Sequence, residues 1–512
     1  MKILSASRMK QADLECIQSG TPAATLMENA GKQVASEVRK ILGEVFNKKI
    51  IVLTGPGNNG GDGLVAARYL DGWEAKVHLF LLGKRSENDS NLKLVNQSRI
   101  LVYKNLDELD RLLRDADIVI DALFGTGSNR PIEGIYKEAL GKVTEAKQKN
   151  YSFKIIALDL PSGLNADNGY CDPSCLNTDY TITLGYPKIG LFTGRGPEKA
   201  GKVIVSDIGI PDYMVRDVKL ELLTGKWAKN ALPGRPLNAN KGTFGKVLTV
   251  AGSINYIGAA YLACSGAMRA GAGLVTLAIP VSLQAILACK LNEVTYLPLS
   301  ESVKGFISED SSLEVLPALN NYDVLLIGCG LGQQDTTAAF IRSVLFGKKP
   351  AMPIVIDADA LNVLAKSNEW WQKLMMDAIL TPHPGEMSRL TGLKVEEIQS
   401  NRIDTAMLFA QKWGKTVVLK GAYTVIASAD GRCRVSPFAN PGMASAGTGD
   451  VLAGIIAGLA AQGLDNFDAA CLGVWLHGQA GEIVKSELGD TGMLAGDLIP
   501  VVPKAIKKLK ES

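Results

Sequence analysis

The apolar residues of this chain come in short unbroken runs rather than in alternation, and that feature narrows the fold more than any other. Ile50–Thr54, Lys76–Leu82, Ile118–Leu123, Ile155–Leu160, Tyr180–Leu184 and Val203–Ile208 are all rich in Ile, Val and Leu. A strand with one face in water alternates apolar and polar residues, whereas a strand covered on both faces does not. Helical spacing over Met9–Gln18 and Ala24–Leu42 precedes these runs, so a parallel sheet covered by helices is expected. The pattern breaks between Pro211 and Asn240, where Trp227 and Pro233-Gly234-Arg235-Pro236 fall. It restarts at Lys246–Ala251 and continues through Leu274–Ile279, Val324–Ile327, Pro353–Ile356, Ala378–Thr381 and Thr416–Leu419. The expectation is an α/β protein of two successive domains, 1–215 and 241–512, with a linker region over 216–240. A chain of 512 residues is too long for one core, which agrees with that division.

Charge excludes some partners. Lys and Arg number 55 against 52 Asp and Glu, a balance that gives no case for nucleic acid or an anionic membrane. The N-terminus has no apolar core of a signal peptide. The longest uncharged stretch, Ala270 to Cys289, carries Pro280, Ser282 and Gln284 and is expected to be strand, turn and helix rather than a membrane span. The eight cysteines are scattered, which predicts buried free thiols in a reducing compartment and hence a cytoplasmic location. Cys171 and Cys175 lack the second Cys/His pair a metal site needs.

Two segments carry chemistry. After Ile50–Thr54 comes Gly55-Pro56-Gly57-Asn58-Asn59-Gly60-Gly61-Asp62-Gly63, whose backbone N–H groups at a helix start suit a phosphate. The next apolar run ends in Leu79-Phe80-Leu81-Leu82, without the acid that holds a ribose, so a plain nicotinamide dehydrogenase is disfavoured. Asp121 and Asp159-Leu160-Pro161-Ser162 also follow strands. In open α/β sheets the ligand crevice lies there, so Asn59, Asp121, Asp159 and Ser162 are expected to converge. Oxygen donors without His or Cys suit a hard cation, and an aspartate among them can move a proton.

The second segment, Asn440 to Asp450, is dense in small residues and precedes the apolar Val451–Ala461. The turn Gly447-Thr448-Gly449-Asp450 offers N–H groups to an anion, and Asp450 can take a hydroxyl proton as phosphate approaches. Lys420 can meet phosphate charge. His383 lies between two prolines at a strand end, and Asp357 either holds a magnesium ion or caps a helix. His78 and His477, inside apolar segments, are read as structural.

These pieces carry two resemblances. Leu26-Met27-Glu28-Asn29-Ala30-Gly31, the Gly55–Gly63 loop, Asp121–Gly127 and Asp159–Gly163 make residues 1 to about 215 resemble the NAD(P)H-hydrate epimerase domain, the YjeF N-terminal family. The resemblance implies a Rossmann-like α/β/α domain that epimerises hydrated NADH or NADPH at C6 of the nicotinamide ring. It implies potassium held by Asn59, Asp121 and Ser162. Substrate contacts would come from Asn58, Asn59, Gly60, Gly61 and Asp62. Gly125, Thr126, Gly127, Ser128, Asn129, Arg130 and Pro131 would add others, and Asp159 would serve both contact and catalysis.

Residues from about 225 to 508 resemble the ribokinase-like superfamily, and within it the ADP/ATP-dependent NAD(P)H-hydrate dehydratases. The matching pieces are Lys241-Gly242, Gly252-Ser253, Tyr256–Ala260, Gly328–Gly332, Asp357–Ala360, Thr381–Glu386, Lys420-Gly421 and Gly447–Asp450. This implies a second three-layer α/β/α domain that phosphorylates the ring hydroxyl and expels phosphate, with Asp450 as the base. Ala259, Ala260, Gly330, Gly332, His383 and Asp450 would face the hydrate. Lys420, Gly421, Ala422, Tyr423, Thr424 and Gly449 would face the nucleotide. The fused layout implies ADP as donor, with Mg2+, and assembly as a homo-oligomer. A small-molecule kinase with a nucleotide-binding accessory domain, or an N-terminal half that binds without catalysing, are the alternatives at this point.

Overall fold

The computed structural model describes residues 1–511 apart from 87, 128–129, 150 and 349–350. The chain forms two compact units, Met1–Leu220 and Glu221–Ser512. In the first, the strands are β1 (Lys49–Thr54), β2 (Lys76–Leu81), β3 (Leu101–Tyr103), β4 (Ile118–Ala122), β5 (Lys154–Leu158), β6 (Tyr180–Leu184) and β7 (Lys202–Ser206). They form one sheet in the order β3-β2-β1-β4-β5-β6-β7, every pair parallel. Successive residues of β1 show why the run is unbroken. Ile50 and Val52 pack on one face with Val34 and Val38, while Ile51 and Leu53 pack on the other with Leu140 and Val143. The N-terminal helices are Ala6–Gln18 and Ala23–Leu42.

The second unit contains β8 (Leu220–Leu222, at whose first residue the division falls), β9 (Lys246–Val250), β10 (Leu274–Pro280), β11 (Thr295–Leu299) and the pair β12 (Glu301–Val303) and β13 (Phe306–Ile307). It continues with β14 (Val324–Ile327), β15 (Ile354–Ile356), β16 (Ala378–Leu380), β17 (Thr416–Leu419), β18 (Val425–Ala427) and β19 (Cys433–Val435). Its main sheet runs β11-β10-β9-β14-β15-β16-β17-β18-β19-β8. The pairs from β11 to β17 are parallel, and β17-β18 and β18-β19 are antiparallel. Residues 216–240, expected as a linker, hold β8 and the helix Gly225–Ala231. Helices Ile257–Ala270 and Thr448–Ala461 pack backbone to backbone. A Cβ on Gly454 would lie 2.0 Å from the Ala263 carbonyl oxygen, so only glycine permits the approach.

Both sheets share one device. From β1 the chain winds outward to β2 and β3, then returns to place β4 on the other side of β1. From β9 it winds to β10 and β11, then returns to place β14 beside β9. Each reversal opens a crevice beyond the carboxyl ends of the two central strands. Ala270–Cys289 is the expected strand, turn and helix, and no helix among the described residues is long and apolar enough to cross a membrane. All eight cysteines are free, seven of them buried.

Candidate functional site

The first crevice lies between the ends of β1 and β4. Gly55 leaves β1 so close to β4 that a Cβ would sit 2.0 Å from the Leu123 carbonyl oxygen. The loop then turns into helix Asn58–Gly72. Arg85 secures it from behind, donating to the carbonyl oxygens of Gly55 (2.8 Å) and Gly57 (3.2 Å). Asn58 is exposed, Asn59, Gly60 and Gly61 are buried and Asp62 is half-buried. The amide Nδ2 of Asn59 is buried without a partner among the described residues.

Asp121 is fully buried at the end of β4. Its Oδ1 accepts from Ser162 Oγ (2.6 Å) and the Leu123 N–H (3.3 Å), and its Oδ2 from the Ser162 N–H (2.8 Å). Burial pushes its carboxyl above the ordinary aspartate range while those bonds pull it back. Ser162 Oγ also accepts from the Phe124 N–H (3.0 Å), tying the Asp121–Gly127 loop to the Asp159–Gly163 turn. Gly125 and Thr126 are half-buried on that loop, with Gly125 against Asn59, and Gly127, Arg130 and Pro131 are exposed. Ser128 and Asn129 lie outside the described residues.

Asp159 follows β5 with φ +68°, a left-handed backbone unusual for a residue with a side chain. Its Oδ1 accepts from Thr183 Oγ1 (3.2 Å), the Leu184 N–H (3.1 Å) and Lys188 Nζ. Lys188 and Asp13, which sequence reasoning did not single out, join Asp62 around it. Burial, with like charge from Asp159, pushes Asp13 up to about 6 and Asp62 well above the ordinary range. Lys188 had one signal available, as the lone charge in the apolar Gly185–Phe192 stretch.

The second crevice is lined from strand ends in order. Ser253, after β9, donates from Oγ to the Gly330 carbonyl (2.8 Å), beyond β14. Ala260 and Gly332 are buried there, Ala259 and Gly330 half-buried. Asp357, beyond β15, does not cap the helix it precedes. Its Oδ1 accepts from Thr381 Oγ1 (2.6 Å) and Lys420 Nζ (2.7 Å), and its Oδ2 from the Cys329 thiol (3.7 Å). Asp359 accepts from the Gly332 N–H (2.8 Å). Lys420 also reaches Glu386 at 3.8 Å and lies beside Gly449. Gly421 and Ala422 are exposed, Tyr423 is buried with φ +51°, and Thr424 is half-buried.

His383 has a structural duty. It caps helix Pro384–Thr391, its Nδ1 accepting from the N–H groups of Gly385 (3.0 Å) and Glu386 (3.3 Å) while Glu386 accepts from the His383 N–H (2.8 Å). The ring is half-exposed, with its pKa lowered by burial and by Lys420. His78 meets Tyr103 within its sheet, and His477, held to about 4 by burial, meets the Thr448 backbone.

Asp450 sits in the first turn of helix Thr448–Ala461, after Gly447 with φ +91°. Burial and the nearby Asp357 push its carboxyl up to about 7. Its neighbours are unusual. Cys329, Asp357 and Asp450 bring sulfur and oxygen atoms within 4.8 Å of one another, and the Cys329 thiol is held well above its ordinary value by burial and the two carboxylates. Cys329 was not foreseen, because a cysteine in a glycine-rich loop reads as packing.

The two units that carry these crevices match known families. Residues 23–190 match the family described as YjeF-related protein N-terminus, and residues 247–504 the family described as NAD(P)H-hydrate dehydratase. The bifunctional NAD(P)H-hydrate repair enzyme of Moorella thermoacetica is 40% identical over 100% of this chain and 98% of its own. The chain belongs to the bifunctional NAD(P)H-hydrate repair enzyme family. It is therefore an enzyme, with epimerase-type and dehydratase-type halves. The repair enzyme of Thermofilum pendens is 37% identical over 100% of this chain and 97% of its own. A ribokinase-like superfamily protein from Enterococcus faecalis superposes with TM-score 0.50 and 27% identity, covering 57% of this chain and 98% of that one, so the second unit has the ribokinase-like fold.

Proposed function

We propose that the second unit removes water from the hydrated nicotinamide ring by way of a phosphate, and that the first unit supplies it with the right epimer. The observation that carries this is the Asp450 carboxyl, pushed up to about 7 at a helix start whose N–H groups face the same crevice. Asp450 takes the proton of the ring hydroxyl while its oxygen bonds the terminal phosphorus of ADP and the bridging P–O bond breaks, giving AMP. The C6–O bond then breaks with its electron pair leaving on phosphate, a proton leaves C5, and NAD(P)H results. Lys420, Gly421, Ala422, Tyr423, Thr424 and Gly449 hold the nucleotide. Ala259, Ala260, Gly330, Gly332 and His383 hold the hydrate. Magnesium would come with the nucleotide phosphates, and Asp357, beside Lys420 and Asp450, would face it from the crevice.

In the first unit Asp159 moves the proton that lets C6 exchange configuration, with no net change. Asn58–Asp62 and Gly125–Pro131 bind the dinucleotide. Asn59, Asp121 and Ser162 form a donor set that fits potassium. The unpaired Asn59 amide, turned over, presents its oxygen to such an ion. Potassium held by these residues would supply positive charge to the phosphate-binding loop. The same reading includes the two units as separate domains, a cytoplasmic setting and a homo-oligomer, which light scattering on the purified chain tests.

Incubation with ADP and hydrated NADH tests the whole. Inorganic phosphate should appear as NADH absorbance returns. A stable phosphorylated product would instead establish the kinase alternative. Asp159→Asn should stop interconversion of the epimers followed by chromatography, and unaltered interconversion would make the first unit a binding module.

A further inference from the structure

We propose that Lys188 is the positioning residue of the epimerase-type site, fixing Asp159 through Oδ1 so that Oδ2 is the oxygen presented to the hydrate. The inference rests on the reading of Asp159 as the proton-moving group. Lys188 is 1% exposed, and a lysine is seldom buried without a task. Its place is set by backbone: it follows β6, bridges to Leu4, and its side chain returns to Thr183 and Leu184 at the end of β6. There Nζ donates to Asp159 Oδ1, to Thr183 Oγ1 (3.3 Å) and to the Leu184 carbonyl (3.0 Å), using its three protons.

The geometry is one-sided. Oδ1 of Asp159 takes Lys188, Thr183 Oγ1 and the Leu184 N–H, and no described donor lies on Oδ2. The Asp159 side chain keeps 12% of its surface exposed against 1% for Lys188, so the carboxylate is the open end of the pair. Thr183 touches both partners, so the lysine, hydroxyl and carboxylate form one closed set. The left-handed backbone at Asp159 points the same way, since strained positions persist where surroundings over-determine them. The charged groups facing Asp159 are Lys188 from the segment after β6, Asp13 from helix Ala6–Gln18 and Asp62 from helix Asn58–Gly72, with Arg85 behind Asp62. Lys188 is the cation among them that bonds Asp159.

The full-length Lys188→Met, Lys188→Arg and Thr183→Val proteins decide the matter, read against Asp159→Asn. Lys188→Met should lower kcat for epimerisation about 100-fold with KM within threefold, and should move the acid limb of its pH profile upward by at least about one pH unit. Lys188→Arg keeps the charge, so its limb should stay in place. Dehydration of the correct epimer by the same protein should remain within twofold, and an unchanged circular-dichroism spectrum and melting profile should show that the first unit is folded. An unmoved limb and wild-type kcat in Lys188→Met would overturn the proposal, as would a loss confined to KM. If Lys188→Met fails to fold, Thr183→Val, nearly equal in volume, takes its place. Removing that hydroxyl should lower epimerisation kcat at least fivefold, and a wild-type kcat overturns the proposal. An active Asp159→Asn protein would sink the role of Asp159 itself, a separate result.

Discussion

Asp159 and Asp450 line the crevices of two sheets that reverse direction in the same way, the one directly after β5 and the other in the first turn of helix Thr448–Ala461, and their surroundings are opposed. Asp159 gives one oxygen to a lysine, a hydroxyl and a backbone N–H. Asp450 has a thiol and a second carboxylate for neighbours, and the lysine within reach bonds Asp357 instead. One site fixes a carboxylate in position, whereas the other leaves it ready to change charge. The two reactions ask for this difference. An epimerisation returns every proton it takes, so placement governs it. A phosphoryl transfer must remove a hydroxyl proton as the bond forms, and a base near the working pH does that best.

The sharpest way to break the comparison is Asp450→Asn. Dehydration should fall about 10³-fold, roughly 4 kcal/mol of barrier, with nucleotide still bound and epimerisation unchanged. A loss under tenfold would remove Asp450 as the base. In the wild-type protein kcat for dehydration should fall as pH drops through about 7, where Asp450 takes up its proton.

Next in size is a backbone effect the two crevices share. Gly328 directly follows β14 with φ +128°, and a Cβ there would lie 1.9 Å from the Asp357 carbonyl oxygen. Gly55 makes the matching approach to Leu123, at 2.0 Å, without a positive φ. Gly328→Ala should therefore cost about 3 kcal/mol and Gly55→Ala about 2 kcal/mol in urea unfolding. The reverse order would mean that the loops around Gly328 yield more easily than those around Gly55.

A smaller effect runs against function. The Asp450 carboxyl lies near 7 when folded against 3.8 as its ordinary value, so the folded state binds its proton more tightly. The group costs no stability below the ordinary range, and the cost grows as pH rises to about 7 and is constant above. At pH 8 Asp450→Asn should stabilise the second unit by about 2 kcal/mol, allowing for partial exposure, with the gain gone near pH 4. Equal melting temperatures at both pH values would show that the carboxyl is not held away from solvent.

Much of this was legible in the sequence, for physical reasons. Strands covered on both faces announced themselves as unbroken apolar runs, and β1, β2, β4 and β5 lie within a residue or two of where those runs fall. The strands that escaped notice are edge or short ones. β3 has three residues with Leu101 exposed, β11 contains Pro298 and exposes Thr295, and β18 and β19 have three residues each. Gly-rich turns were visible because glycine records close approach. Lys188, Asp13 and Cys329 were not, since a buried ammonium, a half-buried acid on a helix and a loop thiol acquire meaning only from what the fold brings to them. Asp357 was seen, and of its two expected roles the helix cap is not made; neither role anticipates an ion pair with a lysine 63 positions later.

His383 tests the smallest difference. As a cap, its neutral Nδ1 accepts two N–H groups, which asks for an unprotonated ring, and burial and Lys420 favour that form. As a contact for the hydrate, its half-exposed ring supplies Nε2. Asparagine can cap a helix and has no ring. His383→Ala should lower stability by about 1 kcal/mol, and His383→Asn should recover most of it. With the pKa lowered in the folded state, the cap's contribution is full above the ordinary histidine value near 6.5 and declines as pH falls through it. If the ring also meets the hydrate, His383→Asn keeps the stability yet raises KM for dehydration severalfold, with epimerisation untouched. A His383→Asn protein with wild-type KM would leave the residue a helix cap alone, and the second crevice would then recognise its substrate without a histidine, as the first does.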